Sequence, residues 1–123
     1  MVGIAQLGGV VLECPDPRSL ASFYSQLMGW AVIYGDDDWF MLGESDAQSV
    51  KLSFQRAPGH KPPVWPDPTS SMQVHLDLRV GDLDTAEQNA MGLGATKFDH
   101  QPDPTNFRVM ADPAGHPFCL CTS

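Results

Sequence analysis

Gln73-Val-His-Leu-Asp-Leu-Arg-Val-Gly-Asp-Leu-Asp-Thr-Ala-Glu-Gln-Asn-Ala-Met-Gly-Leu-Gly94 carries, in order, a strand, a cap, a short amphipathic helix and a glycine stop. Val74, Leu76, Leu78 and Val80 alternate with His75, Asp77 and Arg79, the period of a strand with one buried face. Asp82 is placed to accept from the free N–H groups of the next helix. Leu83, Ala86, Ala90 and Leu93 recur at helical spacing, and Gly94 suits a left-handed helix stop. The same grammar stands earlier, in Gly9-Val-Val-Leu-Glu-Cys-Pro-Asp-Pro-Arg-Ser-Leu-Ala-Ser-Phe-Tyr-Ser-Gln-Leu-Met-Gly29. There Val10, Leu12 and Cys14 alternate with Gly9, Val11 and Glu13. Asp16 caps, Pro17 fits the first turn, Leu20, Phe23, Tyr24 and Leu27 form a stripe, and Gly29 ends it. The interval from Gly9 to Asp16 recurs from His75 to Asp82.

Each copy continues with strands. Trp30 to Tyr34 and Trp39 to Leu42 read as a hairpin around Gly35-Asp36-Asp37, and the acidic triplet Asp36 to Asp38 reads as a solvated turn. Val50, Leu52 and Phe54 alternate with Lys51, Ser53 and Gln55. In the second copy, Thr96 to Phe98, Asn106 to Ala111 and Pro117 to Cys121 are predicted strands. Asp112-Pro-Ala-Gly115 has the residue order of a type I turn. The predicted fold is α+β: two βαβββ modules in tandem, forming a cupped, barrel-like mixed sheet with the helices outside. Duplicated units of this kind need each other to bury a face. Residues 1–123 make a single domain, with module 1 at about 5–56 and module 2 at about 72–123. The connector at 57–71 is rich in proline. A structureless segment longer than roughly 12–15 residues is usually functional or a link. Trp65, in its middle, either lies over a pocket or packs the loop onto the body.

The length of 123 residues suits one domain with a real core. The formal net charge of −8 argues against nucleic acid and anionic membranes as partners. No apolar run is long enough to span a bilayer, and the N-terminus lacks a basic segment followed by an apolar one. A cytoplasmic location is therefore expected, with Cys14, Cys119 and Cys121 as reduced thiols. There is no nucleophile elbow, P-loop or dinucleotide fingerprint.

If the apolar strand positions meet the helices, the alternate positions face the other way. Glu13, Gln55, His75, Asp77, Arg79 and Cys119 are then candidate ligand-facing groups, with Cys121 beside them. A concave wall with a few convergent polar groups is the usual form of a small-molecule site. His75 is a candidate general base or ligand donor, or else a histidine bonded to a neighbour. Glu13 is a candidate acid or base, or else a strand-end carboxylate reaching solvent. Asp77 and Arg79 read as an ion pair. Alternate residues of a strand lie roughly 7 Å apart, so His75 and Asp77 need not touch. Cys119 and Cys121 lack the spacing of redox or zinc motifs and read as wall residues. His60, His100 and His116 fall in loops or turns.

Three stretches carry a family resemblance: Gly9-Val-Val-Leu-Glu-Cys-Pro-Asp16 with Phe23-Tyr24 and Gly29-Trp30; His75-Leu-Asp-Leu-Arg-Val-Gly-Asp82; and Met110-Ala-Asp-Pro-Ala-Gly-His-Pro-Phe-Cys-Leu120. The chain resembles the vicinal oxygen chelate superfamily of glyoxalase, bleomycin-resistance and dioxygenase folds, in its branch of small glyoxalase-like proteins. The resemblance implies paired modules forming a cup, often in a homodimer. Metal-using members place ligands on the first and last strands of each module. Carried over, those positions fall on Gly9, Gln55, His75 and Cys119, an incomplete set for a divalent metal. No metal site and no cofactor is therefore expected. The expected function is binding of a small organic molecule, with His75, Asp77, Arg79, Gln55 and Cys119 as polar groups and Trp39, Trp65 and Phe40 as aromatic surfaces. The alternatives are a lyase, isomerase or dioxygenase with a reduced or atypical metal site, a metal-free enzyme using His75 or Glu13, and an interaction module whose cup is filled by its own side chains.

Overall fold

The computed structural model describes residues 2–44 and 49–123. It contains two compact units, one through His60 and one from Lys61.

The first unit runs β1 (Gly9–Cys14), α1 (Pro17–Met28), β2 (Ala31–Gly35), β3 (Trp39–Gly43) and β4 (Lys51–Arg56). The sheet order is β1-β4-β3-β2. β1 runs parallel to β4, and the other pairs are antiparallel. Helix α1 begins where expected: the Asp16 carboxylate accepts from the Ser19 N–H, with Pro17 in the first turn. It ends at Gly29, whose φ of 73° is left-handed and whose N–H donates to the Ser25 carbonyl. Leu20, Ala21, Phe23 and Tyr24 are buried. The sheet face beneath carries Leu12, Cys14, Phe40, Leu42, Leu52 and Phe54, all buried. Tyr24 stacks on Phe54 with ring centroids 5.6 Å apart. Aromatic area of this kind dominates core energetics.

The second unit runs β5 (Leu76–Arg79), α2 (Leu83–Gly92), β6 (Thr96–Lys97), β7 (Phe107–Ala111) and β8 (Pro117–Cys121). Its order, β5-β8-β7-β6, repeats that of the first unit, and β5 again pairs parallel with the last strand. The predicted barrel-like sheet is thus two four-stranded mixed sheets, and neither closes on itself.

Three local expectations change. The β5 strand is shorter than its alternation: Gln73 has φ 61° and Val74 is 65% exposed, so pairing starts only at Leu76. Helix α2 buries only Leu83 and Ala90. Charge supplements this thin apolar stripe: Arg108 on β7 donates to Glu87 at 3.0 Å and Asp84 at 2.9 Å, and Lys97 lies 3.1 Å from Glu87. The end of α2 also differs from that of α1, since Leu93 caps it in right-handed geometry and Gly94 follows with φ 118°. The turn at 112–115 forms as read, closed by the Gly115 N–H donating to the Asp112 carbonyl at 2.8 Å. Asp112, only 3% exposed, also accepts from the Ala114 and His116 N–H groups.

Candidate functional site

The two units each present a polar group of residues on the sheet face turned away from their own helix. In the first unit the ladder aligns Glu13 with Gln55 and Gln55 with Trp39, across β1, β4 and β3. Neighbouring strands lie about 4.8 Å apart, so these three residues form one short row. Trp39 and Gln55 also line a shallow concavity of about 450 Å³ with Asp38, Arg56 and Pro58. The Arg56 guanidinium stands 3.6 Å from Asp38 there. Glu13 and Gln55 are exposed, and Trp39 is half-buried. Phe40 does not join them. Alternation turns it to the helix side, where it is 7% exposed and lies beneath the Arg18 guanidinium.

In the second unit three expected residues converge. Asp77 on β5 is the register partner of Cys119 on β8. His75 immediately precedes β5, and its Nε2 lies 3.3 Å from Asp77 Oδ1. This contact departs from the strand spacing assumed for residues 75 and 77. Because pairing begins at Leu76, residue 75 is free of the ladder and its side chain folds along Asp77. One ligand atom from each of His75, Asp77 and Cys119 lies within 4.8 Å of the others. His75 and Asp77 are largely open to solvent, whereas Cys119 is 6% exposed.

The thiol at 119 is strongly biased toward its protonated form. Burial is the larger cause, followed by the Asp77 charge, Cys121 and a hydrogen bond with Asp77; its pKa is pushed up to about 12. Burial and Asp77 also raise Cys121. Arg79 is exposed, is the register partner of Cys121, and makes no ion pair with Asp77 among the described residues. The carboxylate engages His75 instead. Trp65 stands apart from this trio in its contacts: its ring meets Phe98 edge-on at 5.2 Å and His100 at 5.2 Å. It therefore packs the proline-rich segment onto the residues that follow β6.

The profile of the glyoxalase-like domain matches residues 9–121. The chain belongs to the glyoxalase-like domain family. No curated protein matches the sequence. Among solved structures, a glyoxalase/bleomycin resistance protein/dioxygenase family enzyme from Burkholderia phytofirmans PsJN is 19% identical, with a TM-score of 0.69. That similarity covers 94% of this chain and 97% of the other. A bleomycin-binding protein complexed with bleomycin is 23% identical over 97% of this chain and 98% of its own, with a TM-score of 0.58. The bleomycin-binding protein of Streptomyces verticillus, complexed with copper(II)-bleomycin, is 19% identical over 98% and 99%, at 0.59. At these identities the likeness shows the fold of the glyoxalase and bleomycin-resistance proteins, and fold alone does not fix a reaction.

The four positions that the family resemblance offers for a metal do not fit one in this glyoxalase-like chain. Gly9 has no side chain, and Gln55 brings a neutral amide. His75 and Cys119 are competent donors, and Asp77 joins them from a position outside that set. Alternation already makes Asp77 a candidate; what it does not show is the contact with His75, which precedes the strand. No helix among the described residues is long and apolar enough to cross a membrane.

Proposed function

We propose that the protein binds a small organic molecule and retains it without chemical change. The observation that carries this reading is the pair of helix-free sheet faces. They gather the row Glu13, Gln55 and Trp39 and the trio His75, Asp77 and Cys119, rather than an apolar core. A tryptophan ring beside amide and carboxylate groups suits a ligand with both a flat apolar part and polar substituents. Two solved proteins of this fold carry bleomycin, a bulky organic ligand, in their complexes. Retention needs no catalytic metal. In this reading the protein works as a cytoplasmic homodimer, with Arg79 as a further anchor and without nucleic acid or membrane partners. The excess of negative charge favours a cationic ligand.

The test is a thermal-shift screen of chelator-treated protein against organic cations bearing aromatic rings. A ligand present at about 100 times its dissociation constant adds about 2.7 kcal/mol of stability. The expected result is a clear rise in Tm that shrinks in Trp39→Ala and Gln55→Ala. The reading fails if no compound raises Tm, or if a hit is chemically altered on incubation with protein. The second outcome supports a lyase, isomerase or dioxygenase, which the His75–Asp77–Cys119 trio favours as the runner-up.

A further inference from the structure

We infer that a bulge in β2 adds an apolar row to the helix-free face of the first sheet, and that the molecule retained there is flat and elongated: a linearly fused polycyclic aromatic with amino groups along one long edge. The inference rests on the retention reading and names the class of ligand.

The placement follows from register. Ala31 pairs with Gly43 and Val32 with Leu42, but Tyr34 pairs with Met41, so Ile33 is an extra residue in β2. Regular pairing would set Tyr34 opposite Phe40, on the helix side. Gly35 stands there instead. A Cβ at Gly35 would come 2.5 Å from the Phe40 ring, so the ring fills the space that a side chain would need. The bulge thus gives the glycine the crowded position and turns the tyrosine to the other face. Partners across a ladder share a face. Val11, Ser53, Met41 and Tyr34 therefore make one row over β1, β4, β3 and β2. Ile33 flanks its end: Gly43 is on the same face as Met41, and a Cβ built there would lie 3.3 Å from Ile33 Cδ1.

This row runs beside Glu13, Gln55 and Trp39, offset by two residues along each strand. Two residues advance a strand roughly 7 Å, and three strand spacings cover about 14 Å. An apolar strip and a polar strip of those dimensions match fused rings whose hydrogen-bonding groups lie along one long edge. Ser53 is buried in the row, whereas Val11, Ile33 and Tyr34 are exposed. The Glu13 carboxylate and the Gln55 carbonyl are acceptors for amino groups. Asp36 ties the two strips together. Its Oδ2 accepts from the Tyr34 hydroxyl at 2.6 Å and its Oδ1 from the Trp39 N–H at 2.8 Å. It is a positioning residue for both aromatic side chains.

The experiment compares proflavine, a planar cation of three fused rings with two amino groups, with benzamidine, a planar cation of one ring. Both are titrated into the full chain by calorimetry. The expected result is that proflavine binds more than about tenfold tighter, a decade of the binding constant. Tyr34→Ser and Val11→Ser should each remove most of that preference. Val32→Ser is the control, because Val32 is 49% exposed against 53% for Tyr34 but shares the helix side with Leu42. It should leave both affinities unchanged. Asp36→Ala should lower the preference, and Asp36→Asn, which still accepts from the hydroxyl, should restore it. All these positions are exposed, and circular dichroism confirms that each variant folds. Three results overturn the inference: no proflavine binding, equal affinities for the two probes, or a preference untouched by Tyr34→Ser. Equal losses in Val32→Ser and Tyr34→Ser overturn the assignment of faces, and failure of Asp36→Asn to restore the preference overturns the role of Asp36. The retention reading survives each of these results and falls only to a silent screen or a chemically altered hit.

Discussion

Asp77 links the residues of the candidate site, since its carboxylate meets His75 and faces Cys119 across the ladder. In metal-free, reduced protein, Cys119 should resist alkylation at neutral pH and react only as the pH climbs toward 12. The Asp77→Asn change should move that onset to lower pH without restoring an ordinary thiol, because burial is the larger cause. Peptide mapping after timed iodoacetamide pulses reads this, and an unmoved onset would refute the electrostatic part. Linkage gives the sign for stability. The folded pKa exceeds the ordinary value of 9.0, so the contribution is complete below that value and is lost as pH rises from 9.0 to about 12. His75 and Cys119 were legible from alternation. Their meeting with Asp77 was not, because regular strand spacing presumes that residue 75 is in the ladder. Gly115 offers a second residue-scale test. With φ 88°, it sits where an added Cβ would come 2.5 Å from Pro62 Cβ. Gly115→Ala should cost about 1–2 kcal/mol from the left-handed backbone alone, plus the overlap. Gly59, with nothing within 4 Å of a built Cβ, is the control. Equal melting temperatures for the two alanine variants would refute the account.

The helices α1 and α2 occupy the same place in their modules, yet different forces hold them. α1 packs Leu20, Phe23 and Tyr24 onto buried strand residues, whereas α2 buries only Leu83 and Ala90 and adds the Arg108–Glu87–Asp84 network. For Glu87, burial works to raise the pKa, but hydrogen bonds from Arg108 and Lys97 outweigh it and leave the value below 4.5. The stability these bonds confer is present above 4.5 and is lost as pH falls through the lower folded value. Acid should therefore loosen α2 before α1. Hydrogen exchange at pH 3 and pH 6 reads this helix by helix, and equal loss of protection in both would refute it. Arg108→Met should lower stability by about 1–2 kcal/mol, the range for partly exposed charged hydrogen bonds. The contrast also marks what could be read in advance. The α1 stripe, both aspartate caps, the hairpin and the 112–115 turn follow from local chemistry that a sequence displays. The charged anchor of α2 does not, because Arg108 stands 21 residues from Glu87 with no periodicity to announce it. The alternation of Val74 to Val80 likewise overstated β5, since it begins directly after the left-handed Gln73, whereas pairing begins only at Leu76.

At the scale of the whole molecule, the two units repeat one strand order, and in the proposed ligand-binding reading the net charge of −8 governs how a ligand would approach. In that reading the acidic excess would act at long range, whereas contacts with Trp39 or Gln55 would act only after docking. The two contributions separate by rate. Long-range attraction speeds encounter, and salt screens it over a Debye length of about 10 Å at 0.1 M. Short-range packing and hydrogen bonds govern escape and respond weakly to salt. For a cationic ligand found in the screen, the association rate should therefore fall steeply between about 0.01 and 0.5 M salt, while the dissociation rate stays nearly constant. A neutral analogue of the same skeleton should show a flat association rate, and an anionic one a rising rate. Stopped-flow quenching of tryptophan fluorescence measures all three. Parallel salt slopes for the three analogues would mean that the acidic surface does not select the ligand. A salt effect confined to dissociation would place the discriminating charge in the docked contacts, with Glu13 or Asp77 as the carboxylate to replace next.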